Sequence, residues 1–397
     1  MKSSILTFFL SLILAATLAH GVTNVVLPAD AQAAINAAQD GDSIGLLTGS
    51  VGTLTIINKE IILKAQSDTP PVISKIESNG SKLTLIGLNV AEVNATDAGT
   101  PSKLIIHGGK YGRITSAVSD ARISYAKANY LILSKVAVVT ACEVQGSSQH
   151  FQEVSLAEKI GVDIFGANTR ATIRNSRIWN YYDSSTVNIS EQFIGIRVRI
   201  NADSLIHNNL IYNCYDSNGG GGGTETDCGM GVFVKNNSSA TILANGIWNC
   251  HVPYASNTSN QYNTKTRGDR LVYAHASTIL KNNFLWKNPS QVNGYTNGGV
   301  NSSENIKEDN ASALVFVDMA AGDFTPHPSS ALINGGPTDL QFTDRDGSRN
   351  DIGMFGGHDY IPNGRNSTKP VVISLELPIA VPRNGTATIK STGATVK

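Results

Sequence analysis

The chain has 397 residues, with 31 Lys+Arg balanced by 31 Asp+Glu, so its formal net charge is zero, and only 16% of its residues are charged. No basic excess is available to neutralise a phosphate backbone, which argues against a nucleic-acid binder. Glycine is frequent at 37 residues and aromatics are sparse at 7%. With abundant Asn, Ser, Thr and β-branched residues, that mixture favours strands joined by tight turns.

Residues 1–21 read as a secretory signal peptide. Lys2 gives a positive start, Ile5 to Leu18 form an apolar core, and Ala19-His20-Gly21 offers small residues for cleavage. The apolar run is too short to span a bilayer. No other stretch approaches the ~18 apolar residues of a spanning helix, so the mature protein is expected to be exported, extracellular or at the cell surface, with no transmembrane segment. Next comes an Ala-rich run from Pro28 to Asp42. Its composition predicts a short helix, with Asp30 as N-cap and Gly41 as the C′ residue. Ile35 and Ala38 would cover the open end of the structure that follows and block edge-to-edge association.

That structure is announced by a repeat. Four segments align on one aromatic residue: Thr172–Trp179, Leu205–Tyr212, Thr241–Trp248 and Ile279–Trp286. One residue before the aromatic stand Ile178, Ile211, Ile247 and Leu285; three before it stand Ser176, Asn209, Asn245 and Asn283. A period in the thirties marks a solenoid, and the short-range apolar alternation suits strands. A further strand precedes each pair, at Gly161-Val-Asp-Ile, Gly195-Ile-Arg-Val, Gly231-Val-Phe-Val and Leu271-Val-Tyr-Ala. Each turn is therefore expected to carry three short strands. Stacked turns lie ~4.8 Å apart and place like side chains in register. Ile then stacks on Ile in the core, and Asn on Asn in an amide ladder.

Loops between the aromatic-ended strand and the next Gly-headed strand run from Tyr181 to Phe193, Tyr215 to Gly229, His251 to Arg270 and Asn288 to Asn310. They are expected on one side of the solenoid, walling a groove. Asp163 and Arg197 follow the glycine of consecutive turns by two places, and Phe233 and Tyr273 continue the column. All four should point outward, with Arg199, Asp269 and Arg270 beside them. A row of Asp, Arg, Phe and Tyr is a candidate subsite for an acidic sugar; a surface ion pair between Asp163 and Arg197 is the competing reading. The glycine run Gly219 to Gly223 lacks a following Gly-Lys-Ser/Thr and is no phosphate loop.

Cys214 and Cys250 each follow the aligned aromatic by two residues, so they should stack on adjacent turns with Cα atoms ~5 Å apart, inside the disulfide range. A bond from Cys228 to Cys214 is the alternative, with Cys142 free in either case; buried unpaired thiols are the remaining reading. Near the C-terminus, Asp344-Arg-Asp-Gly-Ser-Arg-Asn-Asp351 has Asp at alternate positions followed by Gly, as calcium loops do. Asp344, Asp346 and Asp351 are the candidate ligands and calcium the candidate cofactor; the loop lacks a third regularly spaced ligand and a terminal Glu, and ordinary Asp/Gly turns are the competing reading. After Tyr360 a linker is expected, then two short strands within Val371–Lys397 with an Asn384-Gly turn.

The repeat resembles that of right-handed parallel β-helix proteins of the pectate-lyase-like superfamily, from about residue 22 to about residue 360. The string Ala33-Ala-Ile-Asn-Ala-Ala-Gln-Asp-Gly-Asp-Ser-Ile44 resembles the cap of secreted polysaccharide lyases of the chondroitinase B and alginate lyase group. Phe316–Phe324, Pro328–Gly335 and Asp344–Gly353 resemble the closing segment of bacterial secreted β-helix proteins. The resemblance implies an all-β, right-handed parallel β-helix with an N-terminal capping helix, over residues 22–360, and a tail over residues 361–397. It also implies a monomer acting on or binding a polysaccharide, an acidic one given the arginines. In such lyases a Lys or Arg removes the proton alpha to a carboxylate and a cation or Arg stabilises the enolate, which makes Arg197 and Asp163 the candidate catalytic pair. A non-enzymatic adhesive β-helix is the alternative, since one fold hosts many functions.

Overall fold

The computed structural model describes residues 23–146, 158–183, 192–216, 228–250 and 271–361, the last with short gaps between 276 and 320, together with 371–376 and 390–394. The expected signal peptide, most of the four inserted loops, Asp269, Arg270 and the Asn384-Gly turn lie outside the described residues; within the last expected loop, Val300–Ser303 and Ile306–Glu308 are instead strands of a further turn.

The chain folds as a right-handed parallel β-helix. Two long parallel sheets make up its body, one of 12 strands and one of 15. Sheet A starts at Thr23–Val26, where Thr23 to Val26 pair with Ser43 to Leu46, and ends at Val300–Ser303. Its inward residues form an aliphatic file, Leu63, Leu85, Ile106, Ile123, Val139, Ile173, Ile206, Ile242 and Leu280, each opposite the next and all buried. One turn alone has no second face to bury these residues, so stability comes from stacking.

Sheet B departs from the three-strand expectation. In the first turns it is built from single strands of eight residues, such as Ser50–Ile57, Val72–Asn79, Asn89–Thr96 and Lys110–Ala117, so each of these turns has two strands. The strand Lys127–Leu133 then faces two strands at once. Its Ala128 pairs with Val144 and its Leu131 with Val162. Residues 145 to 158 therefore enter the middle of a strand, and every later insertion enters at the same place. The three-strand turn read from residues 161–286 is a two-strand turn whose longer strand has been cut.

Glycine marks the cut. A Cβ on Gly195 would meet the Gly231 carbonyl oxygen at 2.7 Å and Ile211 Cγ2 at 2.6 Å; one on Gly231 would meet Ile247 Cγ2 at 2.4 Å. The two halves of the severed strand close on each other there, which accounts for Gly heading the segments at 161, 195 and 231, while Leu271 heads the fourth.

The cap forms at Ala31–Ala37, after a 3₁₀ turn at Pro28–Asp30. Ala31, Ile35 and Ala38 are buried in the main core. Asp30 holds the N-cap position but makes no side-chain cap bond. Gly41 is not the C′ residue: the helix ends at Ala38 in an extended conformation, and Gly41, at φ +91°, turns the chain into the first rung of sheet A.

The asparagine ladder is present. Asn209 donates to Asn245 Oδ1 (3.0 Å), Asn245 to Asn283 Oδ1 and Asn283 to Asn305 Oδ1 (2.9 Å each). The same oxygens accept the backbone N–H of the preceding rung. Neighbouring asparagines of this corner hold the closing segment: Asn175 donates to the Asp359 carbonyl, Asn208 to those of Met354 and Gly356, and Asn282 to that of Asp351. The closing segment thus runs along the side of the later turns. In the tail, Val371–Glu376 and Lys390–Ala394 pair antiparallel.

Candidate functional site

Strand alternation sends the core residues Val162 and Ile164 inward and Asp163 outward. In register, Asp163 stands opposite Arg197, Arg197 opposite Phe233 and Phe233 opposite Tyr273. The column expected from sequence is therefore continuous. It also extends toward the N-terminus through Ile132, Thr115, Asn94, Glu77 and Thr55.

At its centre two guanidiniums hold one carboxylate. Arg197 donates Nε–H to Asp163 Oδ1 (3.0 Å) and an Nη2 hydrogen to Oδ2 (2.9 Å). Arg199, from the same strand, reaches the same carboxylate through Nη2 at 2.8 Å. Burial alone would raise the Asp163 pKa, but the hydrogen bonds and charge of Arg197 and Arg199 outweigh it and lower the pKa. Arg197 and Asp163 are buried, whereas the Arg199 side chain keeps 28% exposure and packs over the Phe165 ring at 4.8 Å. Phe233 and Tyr273 meet edge-on at 5.6 Å and are both buried. They form a floor beside the cluster, joined by Ile160, Ile194 and Met230.

A second charged group, not singled out from sequence, lies earlier on the same face. Arg113 and Asn94 both donate to Glu92 Oε1, Asn94 at 2.7 Å, and Lys75 lies between Glu77 (2.7 Å) and Glu92 (3.9 Å). Burial pushes the Glu92 pKa up, and the Arg113, Asn94 and Lys75 contacts bring it below its ordinary value. Thr53, Lys75, Glu92, Arg113 and Tyr130 succeed one another in register, which was the available signal.

No family model matches the chain, and no curated protein sequence matches it. The solved structures do offer a match. The chain is similar in fold to pectate lyase Pel9A. The crystal structure of Pel9A aligns with a TM-score of 0.50 over 86% of this chain and 98% of that one, at 13% identity. At that identity the likeness to Pel9A establishes the fold, and the chemistry has to be argued from this chain's own side chains.

Two of the sequence expectations are corrected. Cys214 and Cys250 are free thiols, buried on adjacent turns, and not a disulfide. Each donates to a carbonyl two residues back, Cys214 to Tyr212 at 3.6 Å and Cys250 to Trp248 at 3.2 Å. Parallel in-register stacking spaces equivalent atoms by ~4.8 Å, wider than the ~3.8 Å typical between the Cβ atoms of a disulfide. Cys142 is also a buried free thiol, as expected. Asp344, Asp346 and Asp351 do not converge as calcium ligands. Asp344 accepts the N–H groups of Gly357 and Asp351, Asp346 accepts from Ser348, and Asp351 accepts from Asn334. Both Asp344 oxygens, Asp346 Oδ1 and Asp351 Oδ1 are engaged in turns, and among the described residues no group of three or more His, Cys, Asp or Glu is placed to hold a metal ion.

The aromatic residues that set the repeat form the remaining feature of the outer surface. Trp179, Tyr212, Trp248 and Trp286 occupy one outward column of sheet B. Their position next to inward Ile178, Ile211, Ile247 and Leu285 already implied this, since neighbours on a strand face opposite ways.

Proposed function

We propose that this chain is an exported, monomeric protein that binds an acidic polysaccharide along the outward face of sheet B, with lyase-like β-elimination as the reaction to be tested. The observation that carries the reading is the pairing of Arg197 and Arg199 with the single carboxylate of Asp163. Both guanidiniums share this carboxylate, and Arg199 is partly exposed at the end of the cluster. A planar guanidinium in that position suits a uronate carboxylate, which it recognises through two parallel hydrogen bonds. The fold likeness to a pectate lyase supports a polysaccharide as the ligand class.

The geometry divides the labour. Arg197, held by a buried carboxylate, stays protonated, so it does not take the alpha proton and its fitting role is that of a fixed positive charge beside the bound uronate. Asp163, with a lowered pKa, orients both arginines. Arg199 meets the substrate carboxylate.

The test is absorbance near 235 nm during incubation with polygalacturonate, alginate and chondroitin, each with and without calcium. Rising absorbance reports the unsaturated uronate product, and Arg199→Ala should then lower kcat/KM by roughly ten- to a hundred-fold, chiefly through KM. A flat trace with retained uronate affinity leaves a binding protein; a flat trace with no affinity overturns the proposal.

A further inference from the structure

The second outward column of sheet B lies on the other half of the cut strand from the arginine cluster. Trp179 and Tyr212 stack at 5.4 Å between centroids and 24° between planes, Tyr212 and Trp248 at 4.7 Å and 13°. The hairpin of Phe316–Asp318 and Asp323–Pro326 lies over this stack, with Phe324 4.8 Å from Trp248 and 5.4 Å from Tyr212. Arg177 closes one end, its guanidinium 4.8 Å from the Trp179 ring and 5.2 Å from that of Phe324.

The other end is open. Trp286 is next in register after Trp248, yet it does not continue the stack, and its indole Nε1 has no hydrogen-bond partner. A half-open cavity of about 350 Å³ lies there. Trp248 and Trp286 line it together with Met319 and Phe324 from the covering segment, and Asn213 and Asn249 supply the polar groups. The two amides are rigidly placed. Both residues have left-handed backbones, at φ +55° and +48°, and Asn249 donates to Asn213 Oδ1 at 2.6 Å.

We infer that this cavity is a second carbohydrate site, distinct from the arginine cluster, and that it takes a neutral pyranose unit. Its volume falls at the lower end of the ~300–1,000 Å³ of ordinary ligand sites, and aromatic walls with a few fixed polar groups are their usual composition. Among the described residues that line it none is charged, so a uronate, phosphate or sulfate would lose its hydration without gaining a counter-charge from them. A neutral sugar ring loses little, because its C–H face packs on indole and its hydroxyls pair with carboxamides. The site would let the protein hold a neutral stretch or branch of a glycan while the arginine column holds an acidic one.

All three tryptophans of the chain stand in this column, so intrinsic fluorescence reports on this site and not on the arginine cluster. The experiment titrates the whole protein with cellotetraose, mannotetraose and galactotetraose, and with tetragalacturonate as the acidic control. A saturable change in emission with at least one neutral tetrasaccharide is expected, stronger than with the acidic one. Asn249→Gly, which keeps the left-handed backbone and deletes the amide, and Trp286→Ala should each weaken it by roughly ten-fold. Arg199→Ala should leave it unchanged, which separates this site from the uronate site. The inference is overturned by no saturable response to any neutral sugar, by a stronger response to tetragalacturonate, or by a response that Asn249→Gly and Trp286→Ala leave intact.

Discussion

The early and late turns build the same corner from different chemistry. The corner consists of one left-handed residue followed by one inward-pointing residue. The left-handed position is Gly87, Gly108, Tyr125, Ala141, Asn175, Asn208, Ala244 and Asn282 in successive turns, with φ between +50° and +65°. The inward position is Leu88, Gly109, Ala126 and Cys142 in the early turns, then Ser176, Asn209, Asn245, Asn283 and Asn305. The change coincides with the first cut in sheet B. An uncut strand of eight residues ties each turn to the next through its backbone hydrogen bonds. In the cut turns the amide ladder adds further bonds between turns at the adjacent corner. The Ser176 hydroxyl begins this, accepting the Cys142 N–H at 3.1 Å, and the asparagines continue it.

Charge pairs differ between the halves in the same way, and that contrast carries the largest expected effect. Arg197→Met leaves a carboxylate buried with one partner instead of two, and should destabilise the fold by about 3–5 kcal/mol in urea unfolding. Arg113→Met, in the uncut half, removes a partner from Glu92, whose side chain is 25% exposed; it should cost about 1 kcal/mol or less. Equal effects would mean that the cut has not made the later face drier. The pH dependence follows from the lowered Asp163 pKa. Because the folded value lies below the unfolded one of ~3.9, the stabilisation is complete above about pH 4 and is lost as pH falls through the folded pKa. Arg197→Met should reduce this acid-induced loss.

The ladder comes next. Asn245→Leu removes the acceptor of the Asn209 N–H and amide and strips the Ile206 and Leu243 carbonyls of their donor. Several buried groups then lose partners at ~1–3 kcal/mol each, so a loss of about 3 kcal/mol is expected. At the matching early corner, Cys142→Ala deletes a small buried group and should cost about 1 kcal/mol. Thermal and urea midpoints of the two variants decide whether the later corner is the more costly to break.

The fold was legible from sequence because it repeats. The Ile file, the Asn ladder and the outward column of Asp163, Arg197, Phe233 and Tyr273 all followed from spacing alone. The early turns were missed because their corner residues, Leu88, Gly109, Ala126 and Cys142, share no side-chain chemistry, so nothing marks their shorter period. The origin of the three-strand turn was also hidden, since one turn in isolation does not reveal that its longer strand is split. Carboxylates misled for a related reason. Asp344, Asp346 and Asp351 have the spacing of ligands, and only the turns around them show that backbone N–H groups take their oxygens. Trp179, Tyr212, Trp248 and Trp286 served as the ruler for the repeat, which obscured that they form an outward column on which the closing segment packs, burying Tyr212 and Trp248.

The smallest effect tests the cut itself. Gly195 lies where the severed halves of sheet B meet, and a methyl group there would press on Ile211 Cγ2 and the Gly231 carbonyl. Overpacking of this kind costs about 1–3 kcal/mol, since neither the aliphatic file nor the strand backbone has room to give way. Gly52 sits in the first uncut strand of the same sheet, and nothing lies within 4 Å of the Cβ it lacks. Gly52→Ala should be neutral, or stabilising by about 0.4–1 kcal/mol through the unfolded chain. If unfolding midpoints fall for Gly195→Ala and hold for Gly52→Ala, glycine in the later turns is a packing requirement created by the insertions. If both hold, the severed halves can separate to admit a methyl group, and the glycines need another cause.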